Sequence, residues 1–334
     1  MLALALLAAS CIKPLEYNIS SAEEIPVLYA IWSSDVDEHD VYLCTSGPYE
    51  VLPAWDDCRI LCYVNGNLKA DVAEAVSEEL SDVDPVEFLH YRIPVHVEEG
   101  DRVELEARFP DRVLTASTTV PHTPDLQMDT SSVARESIVS PRLYTVAMTL
   151  HDKAGEMSYY RIYKPRGHSW VYDRNGRLKR EGELVFQSLI DENAPIFKNI
   201  SIHFPKDLAL EFPFLGPTST NLSYVFSDEL FSDSSYTFTF KTIHFSGKGG
   251  YGSGERLENE FIGIVSSISK EEYDYLVALN AAMSSSGDNF AEPVTVPTNI
   301  EGGGLGIFTI RNTRRISIAF EPVDLTEDDP YLIP

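Results

Sequence analysis

Tyr91-Arg92-Ile93-Pro94-Val95-His96-Val97-Glu98-Glu99-Gly100-Asp101-Arg102-Val103-Glu104-Leu105-Glu106-Ala107-Arg108-Phe109 is the stretch that decides the fold. Tyr91, Ile93, Val95 and Val97 alternate with Arg92, Pro94 and His96. Val103, Leu105, Ala107 and Phe109 alternate with Arg102, Glu104, Glu106 and Arg108. Successive side chains of a strand point to opposite faces, so a period of two marks strands with one buried and one wetted face. Glu98-Glu99-Gly100-Asp101 supplies turn residues between them, and the pair reads as a hairpin.

The same pattern extends outward. Val27, Tyr29 and Ile31 read as an earlier strand. Ile60, Cys62 and Val64 read as another, closed by Asn65-Gly66, a favoured two-residue hairpin turn. Short strands separated by turns predict an immunoglobulin-like β-sandwich over residues 25–120. Pro121-His122-Thr123-Pro124-Asp125 breaks the pattern, and we place a linker at 121–127. Residues 128–334 then read as a larger β-rich sandwich or barrel-like domain. Tyr159–Tyr163, the Asn175-Gly176 turn, the run Tyr236, Phe238, Phe240 and the run Ile316, Ile318, Phe320 are its clearest signals. These aromatic faces require a second sheet or a closed barrel to bury them. The chain is therefore mainly β.

One helix is expected. Ser269 caps its start, with Glu272 three residues on to complete a capping box. Glu271, Glu272 and Asp274 suit the positive end of the helix dipole. Tyr273, Leu276 and Val277 share a face, and Ser284-Ser285-Ser286-Gly287 ends the segment.

The chain has 334 residues, 43% of them hydrophobic, enough for a substantial core. It carries 52 acidic and 26 basic residues, a formal net charge of -26. Such a surface repels phosphate backbones and anionic lipid, which excludes nucleic acid as the natural partner class. Four cysteines, Cys11, Cys44, Cys58 and Cys62, are too few for a disulfide framework. Cys58 and Cys62 lie too far apart along one strand to bridge each other. Cys44 pairing with either, or three buried thiols, remain alternatives.

Residues 1–10, Met-Leu-Ala-Leu-Ala-Leu-Leu-Ala-Ala-Ser, form a short apolar run ending in small residues before Cys11. That is the pattern of a secretory signal followed by a lipid-modified cysteine. Cys11 is the expected lipidation site. Several acyl chains on one residue anchor a protein far more firmly than one. Lys13, Glu16, Asn18, Ser20, Ser21, Glu23 and Glu24 make residues 11–24 a polar tether. Ile12, where an inner-membrane retention signal has aspartate, points to the outer membrane.

Several chemical motifs are tempting and lack their context. Gly247, Gly249 and Gly252 fit G-x-G-x-x-G, but an alternating aromatic strand precedes them and a strand-like run follows. A dinucleotide loop opens a helix after a parallel strand. Gly167-His168-Ser169-Trp170-Val171 lacks the last glycine of a nucleophile elbow, and Ser267-Ile268-Ser269-Lys270 lacks the partners of an S-x-x-K enzyme. The eight histidines show no metal-ligand spacing. Asp35, Asp37, Glu38 and Asp40 cluster beside His39 without an EF-hand pattern, which makes them a solvated turn. Trp32, Trp55 and Trp170 read as core aromatics rather than a sugar platform. No cofactor and no catalytic residue is expected.

Phe226-Ser227-Asp228-Glu229-Leu230-Phe231 with Tyr236-Thr237-Phe238 resembles a motif of domain-of-unknown-function family 4249, a family of Bacteroidetes lipoproteins. The C-terminal stretch resembles it more strongly. It comprises Glu272-Tyr273-Asp274-Tyr275-Leu276, Phe290-Ala291-Glu292-Pro293-Val294, Asn299-Ile300-Glu301-Gly302-Gly303 and Leu305-Gly306-Ile307-Phe308. Gly304, Arg311, Arg314 and Arg315 depart from the usual ending. The resemblance implies an exported outer-membrane lipoprotein with an immunoglobulin-like N-terminal part. It also implies a partner, since such genes often lie beside those of TonB-dependent outer-membrane receptors. It implies no reaction. In physical terms, Gly302-Gly303-Gly304 calls for positive φ or close backbone approach, and Asn299 suits a side-chain turn cap. The expectation is a non-enzymatic accessory of a TonB-dependent receptor in nutrient uptake. A free-standing adhesin or glycan- or polymer-binding module is the alternative, and a cryptic hydrolase the third reading.

Overall fold

The computed structural model describes residues 25–46, 58–76, 88–133, 143–163, 165–185, 196, 223–243, 254–285 and 295–324. Cys11, the expected lipidation site, Trp55, the Gly247–Gly252 loop and Phe290–Val294 lie outside the described residues.

The first seven strands are β1 (Pro26–Ser33), β2 (Glu38–Thr45), β3 (Arg59–Val64), β4 (Asn67–Val72), β5 (Leu89–Pro94), β6 (Arg102–Arg108) and β7 (Val113–Thr119). Then come β8 (Asp125–Val133), β9 (Leu143–His151), β10 (Tyr159–Tyr163), β11 (Arg166–Tyr172), β12 (Leu178–Val185), β13 (Ser223–Ser227) and β14 (Ser235–Ile243). The described residues end with β15 (Arg256–Ile268), the helix α1 (Lys270–Ser285), β16 (Leu305–Ala319) and β17 (Val323–Asp324). The protein is mainly β, as the alternation requires, with one α-helix among the described residues.

The strands form three sheets. A ten-stranded sheet runs β12-β11-β15-β16-β1-β2-β5, with β10 and β17 also paired to β15 and β13 joined through β10. A four-stranded sheet runs β4-β3-β6-β7, and a three-stranded sheet runs β14-β9-β8. The large sheet presents one face to both smaller ones. Leu28, Trp32, Val41, Leu43, Ile93, Phe308 and Ile310 from the large sheet meet Ile60, Val103, Leu105 and Leu114 of the four-stranded sheet. Tyr160, Phe226, Phe261 and Val265 likewise meet Val146, Met148, Leu150, Phe238 and Phe240 of the three-stranded sheet. Two sandwiches therefore share one large layer.

β16 joins them. Its first half, Leu305–Arg311, runs parallel to β1 in register Val27↔Leu305 to Ser33↔Arg311. Its second half, Asn312–Ala319, runs antiparallel to β15. The return segment 295–304 precedes it and adds Ile300 to the first core. The segment after β7 is pinned as well: the Asn312 amide donates to the Pro121 carbonyl at 2.9 Å and to Thr123 Oγ1 at 3.0 Å.

One expected pairing is corrected. β5 and β6 are both strands, but they are not a hairpin. β5 pairs with β2 in the large sheet, and β6 pairs with β3 and β7 in the other. Residues 95–101 cross the sandwich as an arch, with Val95 and Val97 buried inside it. Two strands of equal alternation that sit in opposite layers show the same sequence pattern as a hairpin. The Asn65-Gly66 turn is a true hairpin between β3 and β4, with φ of 51° and 77°. The Asn175-Gly176 turn likewise joins the hairpin β11–β12.

The other face of the large sheet carries α1. Tyr29, Tyr42, Val225, Ile268 and Ile307 of the sheet bury Tyr275 and Leu276 of the helix, with Tyr273 and Val277 at the margin. No helix among the described residues is long and apolar enough to cross a membrane.

Candidate functional site

Beneath α1 the apolar contact gives way to a buried ionic cluster. Alternation along β16 puts Thr309, Arg311 and Thr313 on the helix-bearing face, and along β10 it puts Arg161 and Tyr163 there. Ser269 Oγ accepts the Glu272 N–H at 3.2 Å, so the expected N-cap is present. The reciprocal half of the capping box is not what Glu272 does. Its side chain, 0% exposed, accepts Arg311 Nε at 2.5 Å and the Thr309 hydroxyl at 3.2 Å. Arg161, 2% exposed, stands 3.9 Å from the same carboxylate and 5.0 Å over the Tyr163 ring. Tyr163 accepts a further bond from Arg311 Nη1 at 3.2 Å. A carboxylate this deep is costly to keep ionised, and charged partners offset that cost here. Arg311, in direct contact with that carboxylate, ties helix to sheet.

A second buried carboxylate lies at the far end of the C-terminal sandwich. Asp228 follows β13 and is 0% exposed. It accepts the Ser158 N–H at 2.8 Å and returns its own N–H to the Ser158 carbonyl at 3.0 Å. Nearby Asp152 accepts the Tyr160 hydroxyl at 3.0 Å and the Asp233 N–H at 3.0 Å. The loops 152–158 and 228–234 are therefore clasped by their aspartates. Burial pushes the Asp228 pKa up, the Ser158 N–H works against that rise, and the Asp152 charge adds to it.

The return segment is the third construction. Asn299 Nδ2 donates to the Phe308 carbonyl at 2.7 Å, and its Oδ1 accepts the Phe308 N–H at 2.9 Å. The amide thus imitates a neighbouring strand rather than capping its own turn. Glu301 pairs backbone-to-backbone with Thr115 of β7, at 3.2 and 2.8 Å. Gly302 and Gly303 have φ of 87° and 84°, and Gly306 has φ of 109°. A Cβ on Gly306 would sit 1.9 Å from the Leu28 carbonyl oxygen, because β1 lies directly alongside. The glycine run is a structural requirement of this crossing, as its sequence implied.

Beside the return segment opens a cleft of about 530 Å³. Arg102, Glu104, Glu106, Thr115 and Ser117 form one wall, and Glu271 with Thr298–Glu301 the other.

The remaining sequence candidates are placed as follows. Asp35 holds Ser33 and Arg315, Asp37 holds His96, and Asp40 holds His90, so those three of the four acidic residues are committed to the protein itself. His39 stacks on Trp32 at 4.5 Å and donates to the Val95 carbonyl at 3.1 Å. Burial holds its pKa below the usual histidine value. Ser169 lies within β11, a strand of a hairpin, and Ser267 is the penultimate residue of β15, just before Ser269 caps α1. Cys44, Cys58 and Cys62 are free and buried. Burial pushes their thiols up to about 11, 11 and 12. Cys44 faces α1, whereas Cys58 and Cys62 join the first core, so the large sheet separates them. No group of three metal-ligating side chains is present among the described residues.

These arrangements define a class: two β-sandwiches on a common sheet, with buried carboxylates used as clasps. Within that class the chain belongs to the family described as Domain of unknown function (DUF4249), which matches residues 12–317. No curated protein matches the chain. Among solved structures, the beta-glucuronidase of Parabacteroides merdae with glycerol in its active site is 9% identical, with 74% of this chain and 23% of that chain covered and a TM-score of 0.17. A second structure of that enzyme is also 9% identical, with 74% and 24% covered and a TM-score of 0.16. The T6 backbone pilin of serotype M6 Streptococcus pyogenes is 8% identical, with 88% of this chain and 64% of that chain covered and a TM-score of 0.17. The chain spans about a quarter of the glucuronidase length. Similarity at these scores carries no functional inference.

Proposed function

We propose that this protein is a non-catalytic binding component of the outer membrane, held by lipid on Cys11 and working beside a TonB-dependent receptor in nutrient uptake. The observation that carries this reading is where the family motifs reside. Asp228 clasps two loops, Glu272 locks the helix, and Asn299, Gly302 and Gly306 shape the return segment. Those residues build the frame and leave chemistry to the surface, which is how scaffold-borne binding proteins are organised. The acidic composition supports a protein partner over nucleic acid.

The test is affinity purification of the full chain, tagged at its C-terminus, from membranes in mild detergent. A TonB-dependent receptor recovered in stoichiometric amount supports the role. The protein emerging alone, from membranes where other complexes survive, overturns it and favours a free-standing adhesin or glycan binder. In the same cells, Cys11→Ser moves the protein from the membrane to the soluble fraction if Cys11 bears the lipid.

A further inference from the structure

We propose that the open edge of β7 is a strand-addition site for an extended, cationic segment of a partner protein. This gives the binding role above a surface, and it rests on that role. The register of β6 and β7 fixes which backbone groups point outward. Thr115 spends its N–H and C=O on Glu301, so Thr115 and every second residue of β7 face away from β6. Val120 bonds inward to Gly100 and Asp101, as that phase demands. Ser117 and Thr119 therefore present N–H and C=O groups to the outer edge.

The return segment covers only part of that edge. Gly302 lies against the Val113 carbonyl, where a Cβ would come within 2.1 Å of the oxygen, and Glu301 bridges Thr115. Beyond Thr115 no described strand pairs with β7 on this side, and the cleft of about 530 Å³ opens there. That volume falls within the roughly 300–1,000 Å³ of ligand-holding clefts. An exposed strand edge is a template for one more strand, and proteins normally cover or blunt it. Among the described residues this one is covered for two residues and then unpaired at Ser117 and Thr119, beside a cavity.

Charge selects the occupant. Arg102 pairs with Glu104 and Arg108 with Glu106 along the sheet surface. Glu271 and Glu301, on the opposite wall, make no ion pair among the described residues. A strand laid along Ser117 turns every second side chain towards these carboxylates, so Lys or Arg at alternate positions fits best.

The test measures fluorescence anisotropy of a labelled eight-residue peptide of alternating threonine and lysine with the detergent-solubilised full-length protein. An alternating threonine–glutamate peptide and a proline-interrupted basic peptide are the controls. The expected result is binding of the first peptide alone. Ser117→Pro removes an outward N–H without changing charge and should weaken binding at least ten-fold. Glu271→Gln with Glu301→Gln should weaken it and flatten its salt dependence. Because proline strains a strand, hydrogen exchange on the unmutated protein supplies a second reading: the bound peptide should slow exchange of the Ser117 amide. Failure of the threonine–lysine peptide to bind overturns the proposal. Binding that ignores Ser117→Pro and leaves the Ser117 amide unprotected also overturns it, as surface electrostatics alone. The receptor purification is scored separately, so each reading fails on its own result.

Discussion

Replacing Glu272 by glutamine removes the charge at the centre of the helix clasp while keeping its shape. The carboxylate accepts Arg311 Nε at 2.5 Å and the Thr309 hydroxyl at 3.2 Å, with Arg161 3.9 Å away. Hydrogen bonds to charged groups contribute about 1.5–3 kcal/mol each. Removing one partner of a buried ion pair costs about 3–5 kcal/mol, because the other charge stays buried. Both routes give about 4 kcal/mol for Glu272→Gln, or a fall in Tm of roughly 8 °C at the 2 °C per kcal/mol of a large domain. Arg311→Met should cost a similar amount. The double variant should cost less than the sum, since Arg311 is no longer stranded, although Arg161 still loses its carboxylate. Urea titration of the two single variants and the double variant measures the coupling. Hydrogen exchange along α1 should rise in both single variants. Single-variant losses below about 1 kcal/mol, or losses that add within about 0.5 kcal/mol, would show that the helix is held by its apolar face alone.

Two further expectations follow from other parts of the frame. Gly306→Ala meets both a φ of 109° and the Leu28 carbonyl, whereas Gly303→Ala has a φ of 84° and open space. Gly303→Ala should cost about 1 kcal/mol and Gly306→Ala at least about 3 kcal/mol; equal losses in thermal unfolding would refute the close approach of β1 and β16. Asp228 has a folded pKa raised above its unfolded value. Its stabilising contribution is therefore fully present below about pH 3.9 and is lost as pH rises through the folded value. Asp228→Asn keeps an acceptor for Ser158 and carries no charge, so its stability relative to the unmutated protein should improve from pH 4 to pH 7. A difference in urea midpoint that stays constant over that range would refute the buried-carboxyl account.

Local pattern was legible in this sequence and long-range pairing was not. The alternation of Tyr91–Val97 and Val103–Phe109 identified two strands, but it carries no information on which layer each joins. Only the hydrogen-bond partners, β2 for one and β3 for the other, distinguish an arch from a hairpin. Ser269 was readable as a cap because capping is local. Glu272 was misread because its partners, Arg311 and Thr309, lie some forty residues on. The four acidic side chains near His39 had the composition of a cation site, and the commitments of Asp35, Asp37 and Asp40 to Arg315, His96 and His90 are visible only in space. The thiols were left open for the same reason. The cleft had no sequence signature, since its walls come from β6, β7, the start of α1 and the return segment. Of the arginines near the C-terminus, Arg311 pairs with Glu272 and Arg315 with Asp35, partners that no local pattern announces.

The junction strand also sets an order of events during synthesis. Ser33 at the end of β1 bonds Thr313 of β16, 280 residues later, at 2.8 Å. Until that late segment leaves the ribosome, β1 is an unprotected sheet margin and the first core lacks Phe308 and Ile310. Contacts this distant form slowly, and an uncovered margin invites misassembly while it waits. The nascent protein must therefore stay shielded or unfolded through nearly its whole translation. A chain cut at the end of β7 would contain seven strands of the first sandwich and still not be able to finish it.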